Sequence, residues 1–115
     1  MRPGDLTWTP YLIYAAEQPI GLIALAYDPD SDDRYWLYHF FIDRTHQGKG
    51  YSKPALQAFL SLVRAQHPAC RQLNLTVHPD NSRAQRLYTS LGFQLTGAIQ
   101  DGEPVYMLRL TNAEH

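Results

Sequence analysis

Cysteine, long apolar runs and surplus charge are scarce in this sequence, and each scarcity excludes a class of protein. Cys70 is the only cysteine among 115 residues, so no disulfide can form within the chain and a reducing, cytoplasmic location is expected. No apolar run approaches ~20 residues, which argues against a membrane-spanning helix. The first residues also lack the basic-then-apolar pattern of a signal peptide.

The small net charge also limits the classes of partner that we expect for this chain. The net charge is −1 with histidine neutral, and no lysine- or arginine-rich stripe is present, so we expect no nucleic-acid partner. The histidines at positions 46, 67, 78 and 115 lack the spacing of a metal-ligand set, so we expect no metal.

What is present is the composition of a globular protein, with 44% hydrophobic and 18% charged residues in a length that suits one domain. Alternating apolar residues predict strands at 11–16, 20–27, 34–42, 72–77, 93–99 and 104–110. Helical spacing predicts helices from about 51 to 66 and from about 81 to 91. We expect a single domain over residues 1–115, with residues 1–10 as a loose arm or a short edge strand.

The stretch between the strand that ends at Ile42 and the following helix carries the strongest chemical signal. Gly48 and Gly50 can take positive φ and allow a ligand close to the backbone. The first turn of a helix has free N–H groups and positive potential, and Arg44 and Lys49 add charge nearby. The pattern indicates a phosphate or pyrophosphate site, and an ordinary strand-to-helix connection is the alternative.

Two motifs in this sequence resemble the GNAT family of N-acetyltransferases. The first, Arg44-x-x-Gln47-Gly48-x-Gly50 followed by Tyr51-Ser52, resembles the acyl-CoA pyrophosphate loop of that family. The second resembles a later family motif, with Asn81 and Tyr88 in the functional positions: His78-Pro79-Asp80-Asn81-Ser82-Arg83-Ala84-x-x-Leu87-Tyr88-x-x-Leu91-Gly92-Phe93. The resemblance covers roughly residues 11–110. Residues 41–50 and the Asp101-Gly102 turn look most like those of diamine or polyamine acetyltransferases.

The resemblance implies an α+β fold of the acyl-CoA N-acyltransferase type. Its mixed sheet is mostly antiparallel and contains a central parallel pair of strands that splay apart. The family domain usually runs nearer ~150 residues, so this chain looks shortened at its N-terminus. It would then be a minimal member, a truncated chain, or one that completes itself as a homodimer.

The resemblance also implies an activity, the transfer of an acetyl group from acetyl-CoA to a primary amine of a small molecule. The backbone of Phe41 and Ile42 would hold the pantetheine arm, and Arg44 would add positive charge. Backbone N–H groups would hold the pyrophosphate at Gln47, Gly48, Lys49, Gly50, Tyr51 and Ser52. Asn81 would contact the cofactor arm, or simply cap the helix. Tyr88 would donate a proton to the departing thiolate, or serve as a core aromatic residue.

The sequence indicates the general base less clearly than it indicates the cofactor-binding residues. The strand before the loop has no glutamate, and His39 is its one residue with a suitable ordinary pKa. The alternative for His39 is a structural histidine of the strand whose ring forms a hydrogen bond with a neighbouring residue. Tyr38 could pass a proton or orient a water molecule. A second hypothesis for the whole chain is an acyl-CoA-binding regulatory module without an acceptor site. A third is a protein that binds another phosphate ligand.

Overall fold

The computed structural model describes residues 6–110, which form six strands and two α-helices. In chain order the elements are β1 (Thr7–Ala15), β2 (Gln18–Tyr27), β3 (Tyr35–Ile42), α1 (Ser52–Gln66), β4 (Gln72–Thr76), α2 (Ser82–Ser90), β5 (Gln94–Gln100) and β6 (Glu103–Arg109). A single 3₁₀ turn, Arg44–His46, lies between β3 and α1. Within residues 6–110, no helix is long and apolar enough to cross a membrane.

All six strands belong to one mixed sheet, in the order β1-β2-β3-β4-β6-β5. Four of the five neighbouring pairs are antiparallel, and β3 and β4 form the parallel pair through the crossover helix α1. The predicted α+β architecture is therefore confirmed, with the parallel pair at the centre. The final hairpin turns at Asp101 and Gly102, which both have positive φ, as a two-residue type I′ turn requires.

The amphipathic pattern of α1 explains how the sheet is covered. The four apolar positions of its repeat are buried in one core with residues of β2, β3 and β4: Leu56, Phe59, Leu60 and Val63. Pro54 sits in the first turn of α1, where the missing N–H removes no helical hydrogen bond.

The N-terminal arm differs from the first of its two predicted forms. Residues 7–10 are part of β1 and pair with β2, from Thr7 opposite Tyr27 to Pro10 opposite Ala24, so the loose-arm prediction is wrong for them. The edge-strand alternative is correct there, because β1 is an outer strand and a proline is tolerated at a sheet edge. Residues 1–5 lie outside the described part of the chain.

The parallel pair is short, which opens the sheet. β3 and β4 pair at Tyr35–Leu73 and Trp36–Asn74, although β3 runs on to Ile42. The Asn74 side chain, 5% exposed, fixes this junction by donating hydrogen bonds to the backbone carbonyls of Asp33 and Tyr35, each at 3.0 Å. Beyond this junction the strands are no longer paired, as predicted for a splayed pair.

A β-bulge changes the alternation of β3 just before its end. Ala24 of β2 pairs with Tyr38, but Leu22 pairs with Phe41, so β3 carries one extra residue. The bulge lies at His39, whose φ is +56°. As a result Phe40, rather than His39, packs against the core.

A glycine in β2 makes room for the end of β3. Gly21 lies opposite Ile42, and a Cβ atom added to Gly21 would collide with the backbone carbonyl oxygen of Phe41. Only a glycine therefore allows the two backbones to approach this closely.

Candidate functional site

A cleft of about 620 Å³ lies where β3 and β4 separate. It is bounded by the end of β3, the loop before α1, the segment after β4, and the first turns of α2. Nine of the predicted cofactor-binding residues line it: Phe41, Ile42, Gln47, Gly48, Gly50, Tyr51, Ser52, Asn81 and Tyr88. Residues from both sequence motifs therefore meet in one cavity, although they are some forty positions apart in the chain.

The loop before α1 has the geometry of an anion site. Gly48 and Gly50 take φ of +77° and +83°, and no described heavy atom lies within 4 Å of a Cβ added at either position. The Gln47 side chain donates a hydrogen bond to the Ile42 carbonyl oxygen at 2.7 Å, which ties the loop to the end of β3. Among the described residues, the N-cap Tyr51 supplies no side-chain hydrogen bond to α1. The first-turn N–H groups at Ser52 and Lys53 are thus left for a ligand or water.

Asp43 fixes the start of this loop. Its carboxylate accepts hydrogen bonds from the His46 backbone N–H at 3.1 Å and from the Thr45 hydroxyl at 2.9 Å. The His46 Nδ1 atom lies 2.7 Å from the same Asp43 oxygen. These hydrogen bonds, from His46 first and Thr45 second, hold the pKa of the Asp43 carboxyl below its usual value. Asp43 therefore holds the 3₁₀ turn at the start of the loop in place.

The basic residues near the loop are placed differently from the sequence expectation. Arg44 and Lys49 belong to the loop but are not among the described residues that line the cleft. Lys53 and Arg83, which the sequence analysis did not single out, do line it. Both residues lie in the first turn of a helix. Because a helix N-terminus already favours an anion, a basic residue at that position could have indicated an anion-binding role from the sequence.

Asn81 caps α2 and also reaches the cleft. Its side-chain oxygen accepts a hydrogen bond from the Ala84 backbone N–H at 3.0 Å, so the predicted N-cap is confirmed. Because the amide oxygen of Asn81 is hydrogen-bonded to the first turn of α2, the helix itself fixes the position of this side chain at the cleft wall.

Tyr88 belongs to the core and to the cleft at the same time. The residue is 7% exposed, and its ring meets Phe93 edge to face with centroids 5.6 Å apart. Burial raises the pKa of the Tyr88 hydroxyl to about 12. The phenol is therefore protonated at neutral pH. Since Tyr88 lines the cleft, its hydroxyl can donate a proton there.

His39 is not among the described residues that line the cleft. The bulge turns its exposed ring to the face of the sheet opposite the core, where it lies 5.8 Å from the ring of Trp8 and 6.0 Å from that of Tyr38. Simple alternation from Tyr35 and Leu37 would place His39 on the core face. Phe40, the next residue, does line the cleft, so His39 is one position along β3 from it.

Comparison with known proteins identifies the family. Residues 2–93 match the model of the acetyltransferase (GNAT) family, and the chain belongs to that family. It is 38% identical over 86 residues to a probable spermine N(1)-acetyltransferase of Bacillus subtilis subsp. natto (strain BEST195) and to a spermine/spermidine N(1)-acetyltransferase of Bacillus subtilis (strain 168). Each match covers 73% of this chain and 56% of the relative, so the chain spans about half the length of these curated relatives.

The fold is also that of solved acetyltransferases. The chain resembles a spermidine N-acetyltransferase from Vibrio cholerae, crystallised with CoA and spermine, with a TM-score of 0.75 and 19% identity. That likeness covers 90% of this chain and 66% of the other.

Proposed function

We propose that this chain transfers an acetyl group from acetyl-CoA to a primary amine of a small molecule, a polyamine in particular. The observation that carries the proposal is the single cleft that joins an anion-type loop to a buried, protonated tyrosine at the opening of the sheet. Family membership and the polyamine names of the relatives support the same activity.

The residues fit a bound acyl-CoA. The uncapped first turn of α1 and the open, positive-φ glycines would accommodate a pyrophosphate on the N–H groups of Gln47 to Ser52. Lys53 and Arg83 would add positive charge for the phosphates at the cleft wall, and Arg44 and Lys49 would do so from the loop.

The end of β3 would hold the pantetheine arm. Past Trp36 this strand has no described backbone pairing on its β4 side, so Phe41 and Ile42 can pair with an extended ligand as with another strand. Asn81, fixed by its cap to α2, would contact the same arm from the opposite wall.

Tyr88 would supply the proton that the thiol product requires. Its Oη atom carries the proton at neutral pH, because burial raises the pKa of the phenol to about 12. Transfer of that proton to the sulfur as the acyl group leaves would prevent the build-up of a thiolate in a desolvated cleft.

His39 is the candidate base that would bring the amine to its neutral, reactive form. Histidine is the side chain that most often serves as a general base in enzymes. His39 is exposed and next to Phe40 of the cleft wall, so it would act directly or through a water molecule.

A catalytically weak acyl-CoA-binding module is the second candidate. It is favoured by the absence of a glutamate from β3 and by the short span of the match to the curated relatives. The two candidates differ in turnover, since both predict cofactor binding.

Turnover over a panel of amines tests the proposal. The purified chain is incubated with acetyl-CoA and monoamines, diamines and polyamines, and the released thiol and acetylated product are quantified by absorbance and mass spectrometry. Product formation above the amine-free rate, and its loss in Tyr88→Phe, are expected. Tight acetyl-CoA binding without any acetylated amine would favour the binding module.

We further propose a cytoplasmic homodimer. The two outer strands expose large apolar side chains, including Leu12 on β1 and Leu95 and Ile99 on β5, which are 59%, 61% and 66% exposed. Light scattering after size exclusion is expected to give twice the chain mass. A monomer mass at high concentration would contradict the dimer.

A further inference from the structure

Four aromatic rings form a surface on the face of the sheet opposite the core. We call Trp8, Trp36, Tyr38 and His39 the aromatic shelf. The ring centroids of Trp8 and Tyr38 are 5.0 Å apart, and those of Trp36 and Tyr38 are 6.3 Å apart. His39 joins the group at 5.8 Å from Trp8.

Two alanines explain how rings from non-adjacent strands can touch. β2 lies between β1 and β3, and Ala26 stands between Trp8 and Trp36 in the register, as Ala24 stands between Pro10 and Tyr38. Methyl groups on β2 leave space above the sheet, so the rings of β1 and β3 close over them and bury both alanines.

The shelf remains accessible at its outer end. Trp8 is 42% exposed, and His39 is exposed because the bulge has turned it outward. An aromatic surface of this kind next to solvent is a favourable place for a ligand that is attracted to ring faces.

The shelf also reaches the gap between β3 and β4. Tyr38 lies past the last β3–β4 pair, on the part of β3 that has no described pairing with β4. Burial raises the pKa of the Tyr38 hydroxyl, the Gln100 side chain lowers it, and the negative charge of Asp101 raises it.

The shelf and the cleft therefore meet along β3 from opposite faces of the sheet. Phe40 lines the cleft, while Tyr38 and His39, its neighbours in the chain, belong to the shelf. An amine that reaches the acyl group through the opening in the sheet would extend the rest of its chain over the shelf.

Ring faces and a nearby carboxylate together select a cation. The quadrupole of an indole or phenol ring attracts an ammonium group within about 6 Å of its centroid. Asp101, at the turn between β5 and β6, carries a negative charge that acts on Tyr38 and favours a cation there. We propose that the Trp8, Trp36 and Tyr38 rings of the aromatic shelf bind the distant ammonium group of the acceptor, the one that stays charged while another amine of the same molecule is acetylated. His39, the fourth ring, stays the candidate base for the amine that reacts. This inference rests on the proposed acetyltransferase function and adds the residues that would select diamines over monoamines.

The tryptophans of the chain can report ligand binding at the shelf by their fluorescence. Trp8 and Trp36 are its two tryptophans, and both belong to the shelf. Tryptophan fluorescence is recorded during titration with 1,4-diaminobutane and, as a matched probe, 1,4-butanediol, which has the same carbon chain and no ammonium group. Free CoA is present, so that no acetyl transfer takes place.

A saturable fluorescence change with the diamine, and none with the diol, is expected. Trp8→Leu, which keeps an apolar side chain but removes the ring, is expected to raise the Kd of the diamine about fivefold to thirtyfold. Asp101→Asn is expected to raise it a few-fold. Tyr14→Leu, which removes an exposed aromatic ring from the same strand outside the shelf, is the control and is expected to leave the Kd within about twofold.

The result that overturns the proposal is the same response to the diamine and the diol, or no response to either. A fluorescence change that follows protein concentration instead of amine would also overturn it, because a second copy of the chain would then cover the shelf. Failure of the proposed function is distinguishable: diamine binding at the shelf with no acetyl-CoA binding in calorimetry would leave the shelf intact and remove the acetyltransferase activity.

Discussion

Tyr88 offers the sharpest separation of a catalytic role from a structural one. The residue is 7% exposed and its ring packs edge to face on Phe93, so the ring contributes to the core whatever the hydroxyl does. Tyr88→Phe removes the hydroxyl and keeps the ring. Tyr88→Ala removes both.

The two substitutions have different expected magnitudes. Removing a large buried ring lowers the free energy of unfolding by about 3–5 kcal/mol. For a domain of this length each kcal/mol corresponds to roughly 4 °C in Tm, so Tyr88→Ala is expected to melt about 12–20 °C lower. Tyr88→Phe is expected to stay within about 1 kcal/mol of the parent chain.

Activity should follow the hydroxyl alone. Loss of a general acid lowers kcat by about 10²–10⁴-fold, which corresponds to about 2.7–5.5 kcal/mol of activation free energy. For Tyr88→Phe we expect that loss together with an acetyl-CoA Kd that changes less than about threefold, because the ring that shapes the cleft is retained.

The assay combines differential scanning fluorimetry, calorimetric titration with acetyl-CoA, and initial rates with the best amine of the panel. Two outcomes refute the reasoning. Full turnover in Tyr88→Phe would make Tyr88 a core residue without a proton to give. A Tm loss in Tyr88→Phe as large as that in Tyr88→Ala would mean that the hydroxyl, not the ring, stabilises the fold.

Four further predictions address the loop, the base, the sheet junction and the thiol. Gly50→Ala places a side chain at φ +83°, which costs about 1–2 kcal/mol and is expected to weaken acetyl-CoA binding about 5–30-fold in calorimetry; Gly97→Ala, at φ +91° with equally open space on β5, is the control and is expected to leave binding unchanged. His39→Asn, which keeps a residue tolerant of positive φ, is expected to lower kcat/KM about 10²–10⁴-fold with the acetyl-CoA Kd unchanged, and an unchanged kcat/KM would assign the base elsewhere. Asn74→Ala leaves buried carbonyls without their donor and is expected to lower the free energy of unfolding in urea by about 2–3 kcal/mol, whereas a change under ~0.5 kcal/mol would show that water replaces the amide. Burial raises the pKa of Cys70 to about 11, so DTNB near neutral pH is expected to label the folded chain at least ~100-fold more slowly than the guanidinium-unfolded chain, and equal rates would contradict the buried position.

Regular periodicity made most of the fold predictable from the sequence. The apolar repeat of α1 and the alternation of β4 are local patterns, and the structure has a helix and a strand there within a few residues of the predicted bounds. The Asp101-Gly102 turn was equally predictable, because two residues of positive φ favour this dipeptide.

The parts that failed depend on pairing or on tertiary position. Residues 7–10 become strand because β2 supplies a partner, which their irregular composition does not indicate. The bulge at His39 follows from the register with β2, so alternation alone assigns this histidine to the wrong face. Such a shift has no local sequence signal when the bulged residue is not a glycine.

The candidate site was predictable where a motif specifies backbone shape and less so where side chains converge in space. The loop glycines and the Asn81 cap were visible because each residue type is required by local geometry. Lys53 and Arg83 were missed because their approach to one cleft depends on how α1 and α2 pack, which the sequence does not display.

Calorimetric titration of the purified chain with acetyl-CoA, with ADP and ATP as controls, tests the central claim most directly. We expect saturable binding in the micromolar range, as is usual for enzyme substrates, and much weaker binding of both nucleotides, because they lack the arm that pairs with β3. No acetyl-CoA binding, or nucleotide binding of equal strength, would contradict an acyl-CoA site between β3 and β4.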